Sequence, residues 1–315
     1  MKIVIIGGTG HIGTYLVPGL MKEGHEVISI SRQQQKPYQP NKAWSDVKQL
    51  NIDRTKEEKN NSFGRIIREL NSDIVIDLIC FTPDSAKVLV EALQGQVKHF
   101  LHCGTIWVHG HSLAVPTKET QLRSPFGEYG INKAAIESYL LTQFRTNGFP
   151  ATILHPGHIV GPGWIPVNPA ANLNLEVFRK LAAGKDVLLP NLGMETLHHV
   201  HAADVAQSFL KAIQHRDKAL GESFHVVSPQ AITLRGYAEA IGDWFGMKAK
   251  LHFLPWAEWQ KTVPEQDARI TWDHIAHSPN CSIEKARRQL NYTPEYSSLD
   301  AVKESLLWLK ENGDL

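Results

Sequence analysis

The chain predicts an α/β fold, a doubly wound and mostly parallel sheet with a smaller C-terminal lobe, and three observations carry that prediction. The apolar run Ile3-Val4-Ile5-Ile6 is followed at once by Gly7, Gly10 and Gly13 and then by a helical pattern. Short apolar runs then alternate with helical patterns as far as Val160, the order that a parallel sheet requires. At Gly161-Pro162-Gly163-Trp164-Ile165-Pro166 the composition changes, so a second unit begins there.

Each element has a local reason. In the turn Gly7-Gly8-Thr9-Gly10-His11-Ile12-Gly13, the first spaced glycine permits a tight bend, the second close approach by a pyrophosphate, and the third close packing of helix on strand. Leu16, Leu20 and Met21 share one face of the helix that follows, Gly24 ends it, and Val27-Ile28-Ser29-Ile30-Ser31 reads as a second strand. Such a crossover is right-handed and parallel, which makes the unit Rossmann-like. An acid at the end of the second strand would suit the ribose of NAD, whereas Ser31-Arg32 suits the 2′-phosphate of NADP. NADP is therefore the expected dinucleotide and NAD the alternative, with Arg32 as a solvated loop residue the competing explanation. Asp53, at the end of an expected third strand in Leu50-Asn51-Ile52-Asp53-Arg54, can accept from the adenine amino group or cap the next turn.

The alternation continues through the strand Asp73 to Cys80, a helix from Thr82-Pro83 to Leu93, and the strand His99 to Cys103. A long helix from Phe126 to Asn147 and the strand Ala151 to His155 complete it. Residues 1–160 thus form the expected dinucleotide-binding unit, with 186–230 adding sheet elements through a helix at Ala202 to Gln214 and a strand at Glu222 to Val227. Residues 161–185 and 231–315 form the smaller lobe, with a Thr233-capped helix to Phe245 and two closing helices, Ile283 to Leu290 and Leu299 to Glu311. Residues 33–37, Gln-Gln-Gln-Lys-Pro, are the nearest approach to low complexity and read as a polar loop at the cofactor rim.

At 315 residues and 42% hydrophobic, the chain can bury one large core and an appended lobe. With 33 basic and 32 acidic residues the net charge is +1, so neither nucleic acid nor an anionic membrane is an expected partner. Cys80, Cys103 and Cys281 form no metal-ligand spacing and no disulfide framework, which points to a reducing compartment and the cytoplasm. The apolar N-terminal run is too short to span a membrane. Sixteen histidines include dense stretches at His99 to His111 and His198 to His201, but alternation along a strand points their rings apart and no metal site is expected. Trp256 and Trp259 read as packing residues of the small lobe.

Chemistry is expected at Tyr129 and Lys133, which lie four residues apart on one helical face. A phenol titrates near 10, and a neighbouring ammonium is expected to lower that value so that Tyr129 can exchange a proton with a hydroxyl. Thr105 closes a strand of the same sheet, where ligands of such sheets bind, and its hydroxyl can hold a substrate oxygen.

With these residues assembled, the chain resembles the extended short-chain dehydrogenase/reductase superfamily and its NAD-dependent epimerase/dehydratase family along nearly its whole length. The resemblance rests on the glycine turn, the Thr105 segment, Tyr129 to Lys133, His155-Pro156-Gly157-His158-Ile159-Val160-Gly161-Pro162-Gly163, Val200 to Ala206, and Ser282 to Leu290. It implies Tyr129 as general acid/base, Lys133 on the nicotinamide ribose, Thr105 orienting the reacting hydroxyl, and hydride exchange between substrate carbon and nicotinamide. Cofactor contacts are implied at Gly7, Thr9, Gly10, His11, Ile12, Gly13, Ser31, Arg32, Asp53, Lys133 and His155, and substrate contacts at His109, His158 and Asn172. It also implies a small-molecule substrate and a homodimer paired through the helices near Pro83 to Leu93 and Phe126 to Asn147. His158 stands where nucleotide-sugar epimerases carry asparagine, and Leu197 where they carry arginine, so the diphosphate anchors of a nucleotide sugar are not evident. The stretch Ile76 to Cys80, with Ser31 before Arg32, looks more like the atypical branch that contains the chloroplast stem-loop binding proteins. Two readings follow: an NAD(P)-dependent enzyme acting on a sugar-like metabolite, or a non-catalytic dinucleotide-binding protein of the same fold with a regulatory or RNA-associated role.

Overall fold

The computed structural model describes residues 1–32 and 36–315; residues 33–35 of the expected rim loop lie outside it. Its centre is a seven-stranded sheet of β1 (Lys2–Ile6), β2 (Glu26–Ser31), β3 (Lys48–Asn51), β4 (Ile74–Asp77), β5 (His99–Cys103), β6 (Ala151–Pro156) and β11 (Ser223–Val226). The strands run in the order β11-β6-β5-β4-β1-β2-β3 and every pairing is parallel. Both faces are covered, which is why β1 can be an unbroken apolar run with Ile3 to Ile6 fully buried. The chain lays β1 to β3 outward in one direction and then returns to set β4 against the other side of β1. The crevice at that reversal, beyond the C-terminal ends of β1 and β4, is where such sheets bind ligands.

Helices sort to the two faces. One carries α1 (His11–Lys22), packed on α7 (Ala202–Gln214), with α8 (Arg216–Ala219) and α12 (Glu284–Leu290) beside them. The other carries α2 (Arg54–Lys59), α3 (Phe63–Glu69), α4 (Pro83–Leu93) and α5 (Gly127–Asn147). Thr82 caps α4 by accepting the Ser85 N–H, and Pro83 occupies its first turn.

The C-terminal lobe uses three two-stranded ladders. β7 (His158–Val160) pairs with β10 (His199–His201), β8 (Asp186–Pro190) with β13 (Lys250–Leu254), and β9 (Thr196–Leu197) with β12 (Ile232–Thr233). Around them pack α6 (Glu176–Ala182), α9 (Leu234–Trp244), α10 (Trp256–Trp259), α11 (Glu265–His277) and α13 (Ser298–Glu311), over a core that includes Phe178, Leu189, Tyr237, Trp259 and Leu306. Of residues 186–230, only β11 enters the central sheet; β8 belongs to the small lobe because β13 supplies its parallel partner. The third strand ends at Asn51, two residues before Asp53, because Asp53 turns the chain into α2.

Candidate active site

The glycine turn builds the floor of the crevice. Gly7 has φ +90°, which favours glycine, and its N–H donates to the Ile30 carbonyl at 2.8 Å. A Cβ on Gly13 would lie 1.9 Å from the Gly8 oxygen, so the third spaced glycine is demanded by helix-on-turn packing. Gly10 is different. Its φ is −78° and a Cβ there would meet only the Gly7 oxygen, at 3.4 Å, so neither strain nor crowding within the protein requires a glycine. It lines the cleft at the start of α1, where no side chain caps the helix and the first-turn N–H groups have no intrahelical acceptor. A bare backbone aimed at open space from a helix N-terminus fits a pyrophosphate, and the residues present therefore fit a dinucleotide.

The cleft has two connected parts of about 360 and 400 Å³, which share Gly7, Gly10, Ile79 and Phe81. Thr9, Ser31, Arg32 and Asp53 line the second part. Asp53 also caps α2, its carboxylate accepting the Lys56 N–H at 3.1 Å, so the turn-capping alternative describes its geometry. His11 and Ile12 line the first part. Burial pushes the His11 imidazole down to about 3, leaving it neutral.

The first part also contains Thr105, Tyr129 and Lys133, brought together from the end of β5 and one face of α5. Thr105 caps the 3-10 turn Ile106–His109 by accepting the Trp107 N–H, and its hydroxyl lies close enough to the Tyr129 phenol to favour the phenolate. The Lys133 ammonium is buried, donates to the Cys103 carbonyl at 2.7 Å, and lies 4.9 Å from the centre of the Phe81 ring. Its own pKa is lowered, chiefly by burial. The expected lowering of Tyr129 does not occur: desolvation of the phenol end pushes it up to about 12, although 43% of the residue's surface is exposed, and the nearby Thr105 hydroxyl offsets only part of that. Lys133 is committed to a carbonyl, not to the phenol oxygen.

The structure does not bring four other expected residues into contact with the cleft. His155 lies behind Thr105, accepting its backbone N–H on Nδ1 at 3.0 Å and meeting Glu137 through Nε2 at 3.0 Å. His109 points away from the mouth and pairs with His225, the two Nε2 atoms 2.8 Å apart. Asn172 is buried in a loop network, where its side chain bonds Asn168 and Thr271. His158 sits beside the cleft-lining Gly157 and Ile159, but its ring packs on His274 and His199, with centroids 4.9 and 5.8 Å away, and neither ring nitrogen has a hydrogen-bond partner. Ile79, in the stretch Ile76 to Cys80, lines both parts of the cleft, and residues that sequence reasoning missed are Phe81 and Trp164, which also line it, and Glu137 and Arg123 behind it. Glu137 was accessible in principle: it continues the Tyr129 and Lys133 spacing by another four residues on α5. Among the described residues there is no group of three or more His, Cys, Asp or Glu side chains that could hold a metal, and no helix long and apolar enough to cross a membrane.

Comparison with known proteins gives a consistent set of similarities. Residues 3–226 match the profile of the family described as the NAD dependent epimerase/dehydratase family. A chloroplast stem-loop binding protein of 41 kDa, form b, from Arabidopsis thaliana is 25% identical over 316 residues, covering 96% of this chain and 78% of that protein. A 2′-dehydrokanamycin reductase from Streptomyces kanamyceticus is 24% identical over 285 residues, covering 87% of this chain and 76% of the reductase. Among solved structures, a UDP-glucose 4-epimerase from Thermotoga maritima, determined with UDP-glucose, superposes with a TM-score of 0.75 at 21% identity over 99% of both chains. At that identity the superposition establishes the fold.

Proposed function

Because the chain belongs to the NAD-dependent epimerase/dehydratase family and is an enzyme of the extended short-chain dehydrogenase type, we propose that it exchanges a hydride with a hydroxyl or carbonyl carbon of a small sugar-like metabolite, with Tyr129 as general acid/base. The observation that carries this reading is the shared lining of one cleft by the glycine turn and by Thr105, Tyr129 and Lys133. The glycine turn, Ser31, Arg32 and Lys133 would hold the dinucleotide, with NADP favoured by Arg32. When bound, that group supplies the hydride donor or acceptor at its nicotinamide carbon.

The residues' own chemistry gives the direction. With its pKa pushed up to about 12, Tyr129 holds its proton at neutral pH, so the phenol is ready to donate to an oxygen that gains negative charge as a carbonyl is reduced. Thr105, beside the same phenol in the cleft lining, would hold the reacting oxygen within reach. Lys133 is the only cationic side chain among the described residues lining this part of the cleft, since His11 is neutral. A substrate without a diphosphate fits that wall better than a nucleotide sugar.

The test is hydride transfer with NADPH, NADH and their oxidised forms against a panel of UDP-glucose, dTDP-glucose and unphosphorylated sugars and their keto forms, followed at 340 nm. Tyr129→Phe keeps the ring and removes the proton donor. It is expected to slow transfer by about 10²- to 10⁴-fold while leaving dinucleotide binding intact. Turnover that survives in this variant removes Tyr129 from the mechanism.

The 25% identity with a stem-loop binding protein favours a second reading, in which the fold binds RNA. A net charge of +1 weighs against it, because such binding rests mainly on phosphate neutralisation. Salt-sensitive capture of a stem-loop RNA, with no hydride transfer to any member of the panel, would favour the second reading.

A further inference from the structure

Helix α5 presents Tyr129, Lys133 and Glu137 on one face, at successive spacings of four. All three act at Cys103 and Thr105, at and just beyond the end of β5. Lys133 donates to the Cys103 carbonyl, Tyr129 shares the cleft lining with Thr105, and Glu137 reaches the Thr105 backbone through His155. Gly104, between them, has no room for a side chain: a Cβ would lie 2.3 Å from His155 Nδ1.

We propose that Arg123, Glu137 and His155 form a positioning chain that fixes the Thr105 backbone and thereby aims its hydroxyl at Tyr129; this rests on the roles proposed above for Thr105 and Tyr129. Hydrogen-bond chemistry fixes the state of the middle link. The Thr105 N–H can only donate, so His155 Nδ1 must offer its lone pair, and the ring proton sits on Nε2, directed at Glu137 Oε1. A proton on Nδ1 would set one N–H against another. Glu137 is held in turn by the Arg123 fork, with Nε 2.9 Å from Oε2 and Nη2 2.7 Å from Oε1. Arg123 is anchored by Nη1 on the Glu119 and Gln121 carbonyls. Both His155 and Glu137 are buried and do not line the cleft, so their effect on the reaction passes through Thr105. Its Oγ1 also accepts the Trp107 N–H at 3.3 Å. The residue is thus held at its backbone nitrogen and at its hydroxyl, and an ångström of slack at such a site can cost two orders of magnitude in rate.

Two substitutions each preserve one end of the imidazole. In His155→Asn the amide oxygen falls near the Nδ1 position and keeps the acceptor for Thr105. In His155→Gln the amide nitrogen falls near the Nε2 position and keeps the donor to Glu137. The readouts are single-turnover hydride transfer with the panel sugar that reacts fastest, thermal melting, and the ¹⁵N spectrum of histidine-labelled protein. We expect His155→Asn, which keeps the acceptor for Thr105 but cuts the link to Glu137, to be slower by about threefold, and His155→Gln, which frees the Thr105 N–H, to be slower by about tenfold or more, with similar losses of melting temperature. In a Thr105→Ala background the His155→Gln penalty should vanish, because the lever has lost its load. The ring proton should be found on Nε2. A proton on Nδ1, equal rates for the two variants, or a penalty undiminished without the Thr105 hydroxyl would each overturn the positioning role. Wild-type rates in Thr105→Ala and Tyr129→Phe would instead overturn the catalytic reading itself.

Discussion

The two sides of Trp107 are built on different principles. On one side stand Thr105, Tyr129 and Lys133, where named donors meet named acceptors: Lys133 on the Cys103 carbonyl, the Thr105 N–H on His155, Glu137 on Arg123. On the other, the imidazoles make at most one hydrogen bond each, His274 and His277 to carbonyls one turn back on their own helix, and are gathered mainly by burial. His277 stacks on Trp107 at 4.1 Å, His274 meets its edge at 5.2 Å, and His158 lies beyond with both ring nitrogens unpartnered. The first side owes its geometry to lone pairs, and the second owes its neutrality to the absence of water. Acid should therefore attack the second side first.

That expectation is the largest effect on offer. Eleven of the sixteen histidines are held below their ordinary value, chiefly by burial, with His11, His99 and His199 near 3 and His109, His198, His201, His274 and His277 near 4. Each has a folded value below its unfolded value of 6.5. Its contribution to stability is therefore complete above pH 6.5 and is lost as pH falls toward 4. In that window every such histidine removes up to about 1.4 kcal/mol per pH unit, against a net stability of about 5–15 kcal/mol for a typical domain. Asp204, raised to about 6 by burial, and Asp273 and Glu304, also raised by burial, work in the opposite sense but are three groups against eleven. Circular dichroism and tryptophan fluorescence should report cooperative unfolding between about pH 5 and 6. A native spectrum at pH 4.5 would break the comparison, by showing that the buried imidazoles, those of the far side included, are held by something other than exclusion of water.

The same contrast explains what could be read from the sequence. The central sheet was legible because its strands, the edge strand β3 excepted, carry apolar runs and its helices carry capping residues such as Thr82. The Thr105, Tyr129 and Lys133 set was legible because two members share a helical spacing and the third ends a strand. His155 was legible as a motif but not as a support, since its partners Thr105 and Glu137 are fixed by strand register and helix docking rather than by local pattern. The far side was hardest. Helix α11 buries Ala268, Thr271, His274, Ile275 and His277, a stripe too small and polar to register as amphipathic, so the helix that brings His274 and His277 to Trp107 gave no periodic signal.

The glycine turn tests the geometric side by itself. Gly13→Ala forces a Cβ to within 1.9 Å of the Gly8 oxygen, and overpacking of backbone on backbone should cost about 3 kcal/mol or more, seen as a lower urea midpoint. Gly10→Ala meets only an ordinary 3.4 Å neighbour, so its midpoint should hold while dinucleotide affinity falls by about tenfold or more. If Gly10→Ala binds NADP and NAD normally, the open face of the turn is not the pyrophosphate seat, and the fit argued from that glycine fails.

The smallest effect belongs to a third kind of wall, neither geometric nor buried. Arg32 is exposed at the end of β2 and lines the second part of the cleft, so any contact it makes with a 2′-phosphate competes with water and is screened by salt. Arg32→Ala should therefore weaken NADP by about tenfold at low ionic strength, leave NAD nearly unchanged, and show a smaller difference as salt is raised. Parallel titrations of the two dinucleotides by intrinsic fluorescence measure all three quantities. Equal losses for NADP and NAD would mean that Arg32 does not recognise the 2′-phosphate, and would leave Ser31 and the neighbouring Asp53 as a ribose-facing edge suited to NAD.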